Sequence, residues 1–286
     1  METNYKACIF IISHGRPDDV VTYKTLTDAK VSIPIYIVID NTDKYIDRYK
    51  YKYPGKVLIF DKVEISKKTD QGDNFNNLRT TTHARNACFD LATELGYKYF
   101  LVLDDDYVKF DFRINHKMEY PNTYFKVRDL NPVIKAYFDF LNISKSLSIC
   151  MSQGGDYIGG SQSPYAQNNL TRKAMNSFFC STEKPFKFVS RLNEDVNTYM
   201  SLGNRGNLFF TAPVCSLTQK ATQGTKGGMT EAYADGGTFV KSFYTVMYGP
   251  SYAKVSVMQT TYKRIHHSID WNAAVPVIID EKYKKL

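Results

Sequence analysis

The chain has 286 residues, enough for one large domain or two small ones, and its 43% hydrophobic content is ample for a core. Its apolar runs, such as 31–40 and 99–103, fall far short of a membrane-spanning helix, so no membrane partner is expected. Lys and Arg number 37 against 29 Asp and Glu, a net charge of +8 that favours polyanionic partners, and 22 Tyr and 18 Phe supply rings able to stack on bases.

The opening METNYKACIFIISHGRP has no basic leader, no long apolar region and no small-residue cleavage site, so no signal peptide is expected. The first strand is expected over Ala7–Ile12, broken by the loop Ser13-His14-Gly15-Arg16-Pro17. Asp18 or Asp19 is placed to cap a helix running to about Ala29. A β-branched strand over Ile33–Ile39 ends at Asp40, and Pro54-Gly55 turns into a third strand, Val57–Phe60. Ala84, Ala87, Cys88, Leu91 and Leu95 then recur at helical spacing, and Gly96 closes that helix.

The next run, YKYFLVLDDD over Tyr97–Asp106, passes from a continuous apolar stretch into three adjacent carboxylates. Such a run suits a strand buried on both faces with its end opening into a crevice. Alternation along an extended chain points Asp104 and Asp106 to one side, a spacing suited to a hard divalent ion and the phosphate oxygens it carries. The competing reading is a solvated acidic turn. The βαβα order argues for a mainly parallel sheet wrapped by helices, with Ser13–Pro17, Asp40 and Asp104–Asp106 gathered along the strand ends where ligands bind.

Beyond this point the pattern loosens. A helix is expected over Leu130–Leu141 and strands over Leu147–Met151 and Asn207–Thr211, separated by polar, Gly-rich stretches at 153–160, 161–169 and 218–228. A further helix is expected over Val196–Leu202 and a strand over Lys254–Thr260. No repeat and no clean linker divides the chain, so a single elaborated domain over 1–286 is expected. Five cysteines (8, 88, 150, 180 and 215) are odd in number and scattered, without a Cys-x-x-Cys pair. That suits reduced, buried thiols in a cytoplasm and argues against a zinc site.

Four pieces in order carry a resemblance: the opening strand with HGRP, Asp73-Asn74-Phe75 leading to Ala84-Arg85-Asn86-Ala87, LVLDDD, and Asn193-Glu194-Asp195-Val196 ahead of a helix. Together they resemble the GT-A glycosyltransferases, and within them the TET-associated glycosyltransferases of phages and the related GREB-type domain. The resemblance covers most of residues 6–270. It implies an α/β, Rossmann-like three-layer sandwich with a mainly parallel central sheet, with a nucleotide-sugar half over about 6–112 and an acceptor half over about 113–286. It also implies a nucleotide-sugar donor, commonly a UDP-sugar, bridged by Mn²⁺ or Mg²⁺.

On that resemblance, Asp104 and Asp106 hold the metal and Asp105 bonds nearby or to the donor ribose. Asp40 contacts the nucleoside, unless it is an ordinary turn aspartate. Arg85 pairs with the diphosphate or orients Asp104, with Asn86 beside it at the helix start, and His14, Gly15 and Arg16 approach the donor. Glu194 and Asp195 resemble the acidic pair of inverting members. There Asp195 acts as base and Glu194 orients the acceptor; the alternative is that both merely favour the helix N-terminus. His266 or His267 supplies a third metal ligand, or the pair is a surface feature.

The acceptor implied is DNA carrying a 5-hydroxymethylpyrimidine, such as 5-hydroxymethylcytosine, in the cytoplasm of an infected host. Lys67, Lys68, Arg172, Lys173, Lys220 and Lys226 are candidate DNA contacts. Two other readings stand beside it: a glycosyltransferase acting on protein, glycan or lipid, and a metal-dependent nuclease or nucleotidyltransferase in which Asp195 joins the aspartates.

Overall fold

The computed structural model describes residues 5–117, 119, 124–153, 176–220, 239–259, 263–274 and 278–284. Four strands, β1 (Ala7–Ile12), β2 (Ile35–Asp40), β3 (Val57–Phe60) and β4 (Tyr99–Asp104), lie parallel in the order β3-β2-β1-β4. Five more follow in the chain: β5 (Tyr107–Phe112), β6 (Phe125–Lys126), β7 (Ser148–Gln153), β8 (Ser177–Ser181) and β9 (Phe209–Gln219). They extend the sheet beyond β4 in the order β8-β7-β9-β5-β6. β8 is antiparallel to β4 and β7, β7 is parallel to β9, and β5 is antiparallel to β9 and β6. Followed across the sheet, these pairings leave β8 and β5 running against the rest, so the sheet is mainly parallel, as expected.

Period-two alternation in β1 explains the layers. Ala7, Ile9 and Ile11 enter one core with Leu101, Leu103, Ile37 and Ile39, while Cys8, Phe10 and Ile12 enter the other with Phe100, Val102 and Val38. Helices α1 (Val21–Asp28), α2 (Ile46–Lys52) and α5 (Asn131–Ser144) cover the first core through Leu26, Tyr49, Ile134 and Phe138. Between them in the chain, the short α3 (Lys62–Lys67) is capped by the Asp61 side chain on Glu64 N. Helices α4 (Thr82–Glu94) and α6 (Glu194–Gly203) cover the second core through Ala87, Cys88, Ala92, Val196 and Met200. Each fully buried aliphatic side chain contributes about 1.5–3 kcal/mol, so a strand apolar on both faces is the natural centre of the stack. Helix α7 (Val240–Tyr248) packs on a separate hairpin, β10 (Ala253–Gln259) with β11 (Lys263–Ile269), ahead of the short α8 (Trp271–Ala274).

Some expected boundaries move. The first helix begins at Val21 with no side-chain cap, because Asp18 pairs with Arg48 and Lys52 and Asp19 with Lys220. The strand expected over Asn207–Thr211 continues to Gln219, where pairing with β5 supplies its partner. Gln153 and Thr218 are strand residues, while the remainder of the Gly-rich stretches, with Arg172, Lys173 and Lys226, falls largely outside the described residues. All five cysteines are buried and none is in a disulfide. Among the described residues no helix is long and apolar enough to cross a membrane.

Candidate active site

Strand β4 ends on Asp104, which pairs in register with Ile12 at the end of β1. Asp104 Oδ1 accepts from Arg85 Nη2 at 2.9 Å, and Arg85 Nε donates to Glu194 Oε1 at 3.0 Å. Arg85 is buried in the first turn of α4, its guanidinium 5.1 Å from the Phe178 ring and 5.8 Å from that of Phe188. A buried arginine is tolerable only with opposite charge around it. Asp104, Glu194 and Asp195 supply that charge and raise the Arg85 pKa against the opposing effect of burial. Burial pushes the Asp104 carboxyl up to about 6; Arg85 opposes the shift, and Asp106, Glu194 and Asp195 add to it.

Asp105 turns the other way. Its Oδ2 accepts from Ser13 Oγ at 2.5 Å and Arg16 Nε at 2.8 Å, and Arg16 Nη2 lies 2.6 Å from Oδ1. This forked pair fixes the loop after β1, and Tyr49 OH reinforces it by accepting from Arg16 N at 3.1 Å. The Asp106 Oδ2 accepts from Gln219 Nε2 at 3.1 Å, whereas its Oδ1 is buried without a hydrogen-bond partner among the described residues. Burial raises the Asp106 pKa as well.

A second acidic centre lies at the end of β2. Asp40 Oδ2 receives His14 Nδ1 at 2.8 Å and Lys62 Nζ at 3.1 Å, while Oδ1 receives Thr42 N at 3.0 Å and the Thr42 hydroxyl. Burial alone would raise this carboxyl, but the His14 and Thr42 hydrogen bonds and the Lys62 charge hold it well below the usual range. Both oxygens of Asp40 are thus engaged by the protein, and the half-exposed His14 ring is the group it presents outward. Gly15 adopts φ +72°, a conformation that glycine reaches without strain, and its N–H donates to Asp43 Oδ2 at 2.7 Å.

The remaining expected residues divide. Asn86 spends its amide on structure: Nδ2 donates to Phe188 O at 2.9 Å, and Oδ1 accepts from Phe188 N at 2.8 Å. Asp195 sits in the first turn of α6 beside Glu194, within electrostatic reach of Arg85 and Asp104. His267 Nδ1 lies 3.2 Å from Asn193 Nδ2, so β11 meets the start of α6. The His266 ring stacks on that of His267 with centroids 4.1 Å apart.

Among the described residues no three His, Cys, Asp or Glu side chains form a cage for an ion. Two hard carboxylates with a bare buried oxygen at Asp106 fit a divalent ion that draws its other ligands from water and phosphate. Sequence reasoning missed Asp43, Tyr49, Lys62, Thr81 and Gln219. Asp43 had a local signal in its closeness to Asp40; the others reach the site only through tertiary contacts.

Residues 7–228 match the family described as TET-Associated Glycosyltransferase. The chain belongs to that family. It is a glycosyltransferase, which sets aside the nuclease and nucleotidyltransferase reading of the aspartates. No curated protein matches this TET-associated glycosyltransferase. Among solved structures it is similar to glucosyl-3-phosphoglycerate synthase from Mycobacterium tuberculosis in complex with Mg²⁺ and uridine diphosphate, at 8% identity over 93% of this chain and 88% of that chain, with a TM-score of 0.47. It is also similar to mouse xyloside xylosyltransferase 1, at 9% identity over 84% of this chain and 93% of that one, with a TM-score of 0.37.

Proposed function

We infer that the chain transfers a sugar from a nucleotide-sugar donor, with Mn²⁺ or Mg²⁺, to the hydroxyl of a 5-hydroxymethylpyrimidine in DNA. The observation that carries this reading is the Arg85 clamp, which holds the carboxylate end of β4 against the acidic start of α6. Asp104 and Asp106 would hold the ion, which when bound neutralises charge growing on the departing diphosphate. His14, Gly15 and Arg16 line the donor side, their loop fixed by Asp40, Asp43 and Asp105.

Asp195 takes the proton from the acceptor hydroxyl as its oxygen bonds to the anomeric carbon and the bond to the diphosphate breaks. Glu194, held by Arg85 and by Thr81 Oγ1 at 2.6 Å, orients that hydroxyl. A single displacement assisted by a base inverts the anomeric centre. The family name and the +8 charge support a DNA acceptor. Five buried cysteines outside any disulfide support a reducing cytoplasm, and one sheet drawing strands from 6–112 and 113–286 supports a single domain.

The test incubates the protein with Mn²⁺ and a panel of UDP-sugars on duplex DNA containing 5-hydroxymethylcytosine, then weighs the digested nucleosides. A sugar increment on the modified base, lost with EDTA, is expected. Donor hydrolysis without an increment would move the acceptor to protein, glycan or lipid.

A further inference from the structure

The segment between α3 and α4 is tied at both ends to residues 190–194, leaving a projecting tongue over 74–79. At its first end Ser190 N donates to Asp70 O at 2.7 Å and Arg191 N to Gln71 O at 2.9 Å. Asp73 Oδ2 accepts from Arg191 Nε at 2.8 Å and from the Tyr244 hydroxyl, and Arg191 Nη2 donates to Tyr244 OH at 2.6 Å. At the other end Thr80 Oγ1 donates to Arg191 O at 2.8 Å and Thr82 Oγ1 to Ser190 O at 2.5 Å. Thr81, between them, donates to Glu194. Asx turns at Asp73 and Asn77 shape the tongue itself.

Phe75, the second residue of this tongue, is 72% exposed. The buried ion pair fixes the segment that carries this ring, so the ring is held in place with its face open to a stacking partner. The surroundings say what kind. Lys68 and Lys187 lie exposed at the foot of the tongue, where Lys187 Nζ donates to Lys68 O at 3.4 Å; set against the exposed carboxylate there, Asp70, the two ammonium groups leave a net positive charge that favours an anionic occupant with a flat face. A nucleic-acid strand has both. The position also suits: Thr81, at the far end of the tongue, donates to Glu194, the chain neighbour of Asp195, so the tongue adjoins the acidic start of α6.

We propose that the tongue over 74–79 engages the acceptor strand, with the Phe75 ring stacking on a nucleobase at or beside the base whose hydroxyl reaches Asp195. The proposal rests on the DNA reading of the acceptor. A base in a duplex cannot offer its hydroxyl freely to a deep site, and a ring that replaces lost stacking lowers the cost of drawing that base out.

The experiment compares wild type, Phe75→Ala and Phe75→Trp for sugar transfer to duplex DNA containing 5-hydroxymethylcytosine, measuring KM for DNA and for the nucleotide-sugar separately. Loss of one stacking contact, about 1–3 kcal/mol per base, predicts a rise of about 5- to 140-fold in the DNA KM of Phe75→Ala. The donor KM should stay unchanged, and Phe75→Trp should restore wild-type values. Equal DNA KM values for wild type and Phe75→Ala would overturn the tongue's role while leaving the acceptor reading in place. A wild-type enzyme that hydrolyses donor yet modifies no DNA would overturn both.

Discussion

Arg85 Nε lies 3.0 Å from Glu194 Oε1, across 109 residues of chain, and its Nη2 reaches Asp104 from the same guanidinium. One buried cation therefore fixes the distance between the strand that would hold the metal and the helix that would hold the base. Lysine cannot reproduce this, because a single ammonium lacks the planar fork. Arg85→Met leaves two carboxylates without their counter-charge and should cost about 3–5 kcal/mol. We expect a fall of roughly 10 °C in the unfolding midpoint and loss of transfer. Arg85→Lys should keep part of the stability and little of the activity; full activity in that variant would remove the clamp from the mechanism.

Asp106 and Asp105 should separate cleanly. Asp106→Asn keeps an oxygen for Gln219 but removes charge from the bare side of the carboxyl group. Changes one shell out from a metal already cost about 10–100-fold, so a direct ligand should cost at least that much in turnover. Calorimetric titration with Mn²⁺ should show lost binding at an unchanged unfolding midpoint. Undiminished Mn²⁺ affinity would take Asp106 out of the metal site.

Asp105→Asn breaks the forked pair with Arg16 instead. Its main effects should be a lower unfolding midpoint and a raised KM for donor, since the loop over 13–17 loses its anchor. A variant with wild-type stability and donor KM would contradict that assignment.

His83 is fully buried, and burial, helped by the Lys62 charge, lowers its pKa to about 4. The unfolded chain binds a proton on this group below about 6.5, while the folded chain does not until about 4. Stability is therefore intact above 6.5 and falls as pH drops from 6.5 to 4, by up to about 3 kcal/mol. His83→Gln, neutral throughout, should flatten thermal stability across that window. An unaltered pH profile would show that the acid sensitivity lies elsewhere.

DNA binding should be salt-sensitive. Each phosphate contact contributes about 0.9 to the slope of log affinity against log salt. Replacing both Lys68 and Lys187 by Ala should lower that slope by about 1.8, measured by fluorescence anisotropy at several salt concentrations. A slope identical to wild type would place the strand on another face.

The local pattern of the chain was enough to read the central strands. Ala7–Ile12 is apolar throughout and Tyr99–Asp104 is apolar up to its final carboxylate, and only a position covered on both faces rewards that. The ends of those strands, with Gly15, Asp40 and Asp104–Asp106, were legible for the same reason. Strands β5 and β6 were not, because β5 takes its place beside β9, which arrives from a hundred residues away, and β6 in turn pairs with β5. The site was divided in the same manner. Residue types at the strand ends announced acidic chemistry. Only the folded chain decided that Asp105 turns to Arg16, that Asn86 serves the Phe188 backbone and that Arg85 joins Asp104 to Glu194. The alternation of a strand is a local property, readable along the sequence. The partner of a buried charge is whichever opposite charge the packing brings within 3 Å, and packing is set by the whole chain.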